Sequence, residues 1–353
     1  MKNFSSKLTA YIPVVLPHIT ERNALINKFE NGLNEFISLS NKLKIKFIND
    51  YEVFLNTTLV KDVTDLSIFK KIWEGRPSPF WDFWFLIIST KCKFSKGDVE
   101  NYIGDFWGSS FPRKKDLYMS VAAREIEKLS NDLLLALNLS KCGLITTSKG
   151  TVFYDNRIIG SNIRGTHNIF FEAQRNSFEN GWPQILELKL EKVWNWLNSF
   201  SFFNRSMGEG PIGRAIAAIT HLLKDDYSEA IDTINLDTIW ILIGLEALYG
   251  RNKSGLKNQI IEKSRAFLGE PNKNKKRLSK SYDLRSRVIH GDIDIPFNYC
   301  IYDGHEKYEN LSDSLNDTRL VVLSLLIATL QKLIAEGRTE LEFEFQVLGW
   351  PNN

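Results

Sequence analysis

The run over residues 239–249, Ile-Trp-Ile-Leu-Ile-Gly-Leu-Glu-Ala-Leu-Tyr, is apolar on every side of a helical wheel. A helix with no polar face has to be enclosed by other elements. Asp237 is placed to cap its start, and Gly250 suits the position past its end. One residue breaks the pattern, because Glu246 sits within the run. A buried carboxylate is strongly unfavourable unless it is paired or protonated. The chain must therefore supply apolar helices to surround this one and a cation to meet Glu246.

The second half of the chain offers both. Residues 185–200 and 211–223 read as helices, the latter with Ile212, Ala215, Ile216, Ile219 and Leu223 on one stripe. Ser254 is placed to cap a further helix that Gly269 and Pro271 terminate. Residues 277–290 and 316–336 carry two more helical patterns, the last ended by Gly337, and 341–348 reads as an edge strand. Short connections favour antiparallel neighbours, hence a helical bundle. The first half is mixed. Residues 10–16 and 80–89 read as strands, and 20–42 and 113–139 as helices, with Thr20 as an N-cap and Pro112 just ahead of the second. Residues 144–147 and 151–154, around Ser148-Lys149-Gly150, read as a hairpin. Polar residues with Gly181 and Pro183 place a boundary near 176–183. The expected class is α+β: a mixed α/β N-terminal region over 1–180, sensory or regulatory, then an all-α up-and-down helical bundle over 181–348.

Composition narrows the class further. Across 353 residues the formal net charge is +3, with 43% hydrophobic and 25% charged residues. These values exclude a largely disordered chain and a uniformly basic nucleic-acid coat. Cys92, Cys142 and Cys300 are far apart and form no C-x-x-C, so neither a disulfide framework nor a zinc site is expected. Met1 is followed by no signal-like apolar core, and the apolar run over 320–330 is short for a membrane span. The expectation is a cytoplasmic protein with no membrane, metal or cofactor. Gly208-Glu209-Gly210-Pro211-Ile212-Gly213 matches G-x-G-x-x-G, but it follows no strand and reads as a helix opening. Asp292 and Asp294 read as loop carboxylates, and His18, His167, His221 and His305 as surface or turn residues.

The cation lies on the 277–290 pattern. Leu278, Tyr282, Leu284, Val288 and Ile289 fall within one arc of about 160°. Arg285 falls inside that arc and Arg287 points roughly the opposite way. Arg285 is thus the expected counter-ion of Glu246, since its planar fork binds carboxylate or phosphate in bidentate fashion. Charge also concentrates here. Residues 263–287 hold nine Lys/Arg against Glu270 and Asp283, a net +7, which leaves −4 for the rest. A basic focus of this kind suits a phosphate backbone, with Lys276, Arg277, Lys280 and Arg287 as the expected RNA-binding residues.

The string Tyr-Asp-Leu-Arg-Ser-Arg-Val-Ile-His-Gly, from Tyr282 to Gly291, resembles the R-x-x-x-x-H signature of HEPN domains. The glutamate-bearing helix over 240–249 is similar to another helix of that group. With the intervening Ser264-Arg265-Ala266-Phe267-Leu268, the order and spacing resemble the Apea-like HEPN subfamily over roughly 182–348. At Gly244 that family more often has Ala or Thr.

The resemblance implies a helical bundle that dimerises and a metal-independent ribonuclease of the toxin or antiphage-defence kind. Its composite site would join the Arg and His of two protomers. Carried over, Arg285 would hold the scissile phosphate and His290 would act as general base or acid on the 2′-hydroxyl. Ser286 would donate to phosphate and Glu246 would orient Arg285. The implied partners are RNA, tRNA included, a second copy of the chain, and a protein regulator or phage-derived trigger.

Two further readings stand beside it: an inert HEPN module that binds RNA, a nucleotide or a protein, and a dimerisation scaffold. Geometry adds a condition. Residues 285 and 290 lie about 140° apart on an ideal helix. Either the helix loosens before Gly291 or two protomers supply complementary halves. The competing pair, Arg287 and His290, shares a face.

Overall fold

The computed structural model describes residues 4–15, 22–46, 52–60, 83–94, 114–154, 157–166, 168–200, 207–223, 231–250, 255–271, 276–294 and 306–343. The chain forms two compact units. One comprises Met1–Glu172, Glu187–Phe203 and Leu222–Ser228; the other comprises Ala173–Leu186, Asn204–His221 and Glu229–Asn353.

The first unit is built on an antiparallel sheet. Strands β1 (Phe4–Val15) and β5 (Phe83–Phe94) pair along their whole length, from Phe4↔Phe94 to Val15↔Phe83. With β4 (Asn56–Val60), β7 (Gly150–Tyr154) and β8 (Arg157–Ile163) the order is β4-β5-β1-β7-β8, and β6 (Thr146–Thr147) also lies against β1. Strands β2 (Lys44–Lys46) and β3 (Glu52–Phe54) pair separately. Leu8, Ala10, Ile12 and Val14, every second residue of β1, are fully buried, as a strand with one face on a core requires. Helices α1 (Arg22–Ser40) and α2 (Lys114–Ser140) realise the two expected helical patterns. Thr20, the expected cap of the first, lies outside the described residues.

The expected hairpin over 144–154 is corrected. β6 and β7 do not pair with each other; both run antiparallel to β1, through Val14↔Thr147 and Tyr11↔Thr151. The register slips by one residue between those two pairs. The break lies opposite Pro13, which has no N–H to donate and accepts from the Ser148 N–H at 3.1 Å. Ser-Lys-Gly looked like a turn but is the bulge that proline enforces. The hairpin that does form is β7–β8, from Gly150↔Ile163 to Tyr154↔Arg157.

Helix α3 (Ile169–Asn180) runs into the stretch expected to hold a boundary near 176–183. Instead the chain passes between the units at several points. Of the polar residues read as linker, Asn176 and Ser177 are buried. Within the second unit Asn176 Nδ2 donates to Ser324 Oγ at 3.3 Å, and Ser324 Oγ donates to the Ala173 carbonyl at 2.8 Å. Gln331 accepts from the Leu186 N–H at 2.7 Å and donates to the Leu186 carbonyl at 2.9 Å. One residue on, the chain returns to the first unit, where α4 (Leu190–Ser199) lies. There Leu188 N–H donates to the Ser140 carbonyl at 2.8 Å.

The rest of the second unit is helical: α5 (Gly210–Thr220), α6 (Ile231–Tyr249), α7 (Leu256–Leu268), α8 (Arg277–Ile289) and α9 (Glu306–Glu336). The mixed α+β class is therefore observed. Gly208 and Gly213 approach so closely that a Cβ on Gly208 would meet the Gly213 carbonyl oxygen at 2.2 Å, and the glycine-rich string does open α5. α9 is long and apolar enough to cross a membrane by length and composition, but 89% of that window is buried inside the fold. It is the core helix of its unit. α9 also begins ten residues before the expected Asn316. Ser254, the expected cap of α7, and most of the expected strand over 341–348 lie outside the described residues; 341–343 form no strand.

Two expectations for α6 are corrected. It starts at Ile231, so Asp237 is no cap; Asp237 is buried in the helix and accepts from Arg319 Nη1 of α9 at 3.3 Å. Nor is the helix enclosed on all sides. Leu236 is 48% exposed and Ile243 is 38% exposed. Trp240, between them on that side, stacks on the His221 ring at 3.6 Å between centroids. The adjoining face is tight, since a Cβ on Gly244 would meet Leu326 at 3.0 Å and Ala218 at 3.3 Å. That contact accounts for a glycine where α5, α6 and α9 converge.

Candidate functional site

α8 positions most of the residues that the sequence singles out. It has no side-chain cap and no acidic residue in its first turn; Lys276 and Arg277 stand there instead. Cations at a helix N-terminus oppose the macrodipole, so helix stability does not account for them. Arg277 has a local role: its guanidinium binds the Asp317 carboxylate of α9, with Nε at 3.2 Å from Oδ2. It is accordingly only half exposed.

The inner face of α8 holds Leu278, Ser281 and Tyr282, all buried. Leu284 and Val288 are half-buried and pack, with Tyr308 and Leu311, on a small cluster formed by Ile234 and Leu315. Residue 285 lies four positions after Ser281 and seven after Leu278, so its backbone register belongs to this inner face. The Arg285 and Ile289 side chains lie outside the described residues, and with them the expected Glu246–Arg285 pair.

The outer face is a line of exposed polar residues: Lys276, Lys280, Asp283, Arg287 and His290. Ser286, at the edge between faces, is half-buried. Asp283 is engaged by Lys257 of α7, whose Nζ donates to Oδ1 at 2.6 Å.

The helix does not loosen before Gly291. His290 keeps helical backbone angles, φ −83° and ψ −1°, and its N–H donates to the Ser286 carbonyl at 3.0 Å. Gly291 then turns left-handed at φ 75°. Its N–H donates to Val288 at 3.3 Å, and the Asp292 N–H donates to the Arg287 carbonyl at 2.8 Å. That pair of bonds is the Schellman closure, which glycine favours because it carries no Cβ. Within one chain, positions 285 and 290 therefore stay about 140° apart. Arg287 and His290 share the outer face of the final turn.

Glu246 is half-buried on α6, one turn from the exposed Ile243, so it does not carry the full burial penalty expected of it. Lys263, part of the basic run, is buried rather than available to a ligand. Its Nζ donates to the Tyr249 carbonyl at 2.6 Å and to Gln259 Oε1 at 3.2 Å, closing the end of α6. Of the basic run, Lys276, Lys280 and Arg287 stand exposed among the described side chains. His221 ends α5, exposed as expected; His18, His167 and His305 lie outside the described residues.

Among the described residues no three His, Cys, Asp or Glu stand together as a metal site. Away from α8, Asp132 of α2 is raised to about 7 by burial, with Lys128 lowering it and Glu125 raising it. Burial also raises Glu125. The signal in the sequence was a carboxylate directly before Leu133-Leu134-Leu135. Comparison with known proteins returns no match: no family model, no curated protein and no solved structure.

Proposed function

We propose that the chain is a metal-independent endoribonuclease of the HEPN type, acting as a toxin or antiphage-defence effector. The observation that carries the reading is the end of α8: an exposed imidazole at a rigidly closed helix terminus, on a face lined by Lys276, Lys280 and Arg287. The motif resemblance over Tyr282–Gly291 supports it.

In this mechanism His290 accepts the proton of a 2′-hydroxyl. The O2′–P bond forms and the P–O5′ bond breaks. The departing 5′-oxygen takes the proton from the His290 imidazolium so formed, and the products are a 2′,3′-cyclic phosphate and a 5′-hydroxyl. The chemistry requires the 2′-hydroxyl and so selects RNA over DNA. Arg285 neutralises the developing charge on phosphate, Ser286 donates to it, and Glu246 orients Arg285. Because positions 285 and 290 of one α8 lie about 140° apart around its axis, their cooperation needs two chains, with Arg285 of one meeting His290 of the other. Homodimerisation is thus part of the proposal.

The same angular separation favours a second reading, an inert HEPN module that binds RNA, a nucleotide or a protein partner through the outer face. One assay separates the two. Purified protein is incubated with total RNA and with tRNA in EDTA. Cyclic-phosphate ends that disappear in His290→Ala support the nuclease. Intact RNA from a confirmed dimer, with trial triggers present, supports the binding module.

A further inference from the structure

Resting on the nuclease reading, we infer that Arg287 is a second phosphate-contacting residue, working with His290 of its own chain on the RNA phosphodiester. Residues three apart on a helix are surface neighbours, with Cβ atoms about 5–6 Å apart. Arg287 and His290 have this spacing and are both exposed. The Arg287 carbonyl accepts the Asp292 N–H at 2.8 Å, and the His290 N–H is held by Ser286. Both side chains therefore project from a backbone that the helix closure has already ordered.

Charge points the same way. The acidic residue one turn earlier, Asp283, is the natural intrahelical partner for Arg287. Lys257 already occupies its Oδ1 at 2.6 Å. Arg277, by contrast, is taken up by Asp317. Arg287 is thus the guanidinium of this helix, among its described side chains, whose fork is left to an outside anion. Lys280 lies seven residues back on the same face, about 10.5 Å along the axis, and Lys276 about 6 Å beyond it. This line extends the contact to neighbouring phosphates. A guanidinium offers two parallel N–H groups to two non-bridging oxygens, which a lysine does not.

A bland role is available to Arg287: a cation in the last turn complements the helix dipole. A lysine fills that role equally well, so the test compares Arg287→Ala and Arg287→Lys in the full chain. The binding probe is a single-stranded RNA carrying 2′-O-methyl groups, which cannot be cleaved; the cleavage probe is its unmodified counterpart. Arg287→Ala should bind the methylated strand about tenfold more weakly, with the slope of log K against log salt reduced by about 0.7, one single-strand phosphate. Arg287→Lys should keep the slope and lose cleavage. Unchanged binding and slope in Arg287→Ala would overturn the inference.

Mixing Arg287→Ala with His290→Ala chains tests the shared-chain claim. No mixed dimer then holds both residues on one chain, so cleavage should stay lost; restored cleavage contradicts it. If the wild-type chain cleaves no RNA, the nuclease reading fails. The binding slope then still decides whether Arg287 contacts phosphate.

Discussion

α8 and α9 belong to one unit and place polar residues in opposite ways. In the later part of α9 four polar residues are submerged and each reaches a neighbour. Ser324 holds Ala173, Thr329 meets the Tyr249 hydroxyl at 2.7 Å, Gln331 clasps Leu186 and Arg319 meets Asp237. In α8 most described polar residues stand outside: Lys276, Lys280, Asp283, Arg287 and His290 are exposed while Ser281 is buried, and the inner face rests partly on a small apolar cluster. Buried polar groups that are satisfied specify how a helix packs. Exposed ones contribute little to packing and are free to serve a ligand. α9 sets where its neighbours go, and α8 carries what they present.

That contrast makes graded predictions. The largest effect belongs to the buried ion pair. Asp237→Ala strands the Arg319 guanidinium and should destabilise the protein by about 3–5 kcal/mol in urea unfolding, because an uncompensated buried charge remains. A loss below about 1 kcal/mol would erase the distinction between the helices. Gln331→Leu leaves the Leu186 N–H and carbonyl without their partner and should cost about 2–4 kcal/mol by the same measurement.

Asp132 of α2 supplies a pH test in the first unit. Its folded pKa, about 7, lies above the ordinary carboxylate value, so the folded state binds the extra proton between those pH values. Stability contributed by this group is present in acid and falls as pH rises from about 4 to 7. Asp132→Asn should remove that slope and stabilise the protein at pH 8 by on the order of 2 kcal/mol. A pH profile of unfolding identical to wild type would refute the assignment. At the lower end, Arg277→Ala breaks a surface pair and should cost about 0–1 kcal/mol. Smallest of all, Arg287→Ala should shift stability by no more than about 0.5 kcal/mol, so any larger loss of RNA binding is a ligand effect.

Helix ends were legible in the sequence wherever glycine does the stopping. Gly269, Gly291 and Gly337 each adopt positive φ at the predicted ends. Alternation in β1 was legible for the same local reason. What escaped depends on partners distant in the chain. Asp237 looked like a cap, since Asp favours caps, but its partner Arg319 is 82 residues away. Asn176 looked like linker because nothing local reveals that Ser324 of α9 meets it. Within α8 the facing of the positions was readable. Periodicity placed position 285 inward and 287 outward, as the helix register does. Yet no pattern said that Asp283 would be taken by Lys257, or that Ile243 and Leu236 would leave one side of α6 open. Side-chain type tells which residues avoid water, but not which element excludes it.

The repeated passage of the chain between the two units has a hereditary consequence. Residues 173–186 serve one unit and Glu187–Phe203 the other, and the division recurs at 204, 222 and 229. A single exchange of coding sequence at any one point therefore cannot carry off either unit whole. The two units are thus inherited as one length of coding sequence.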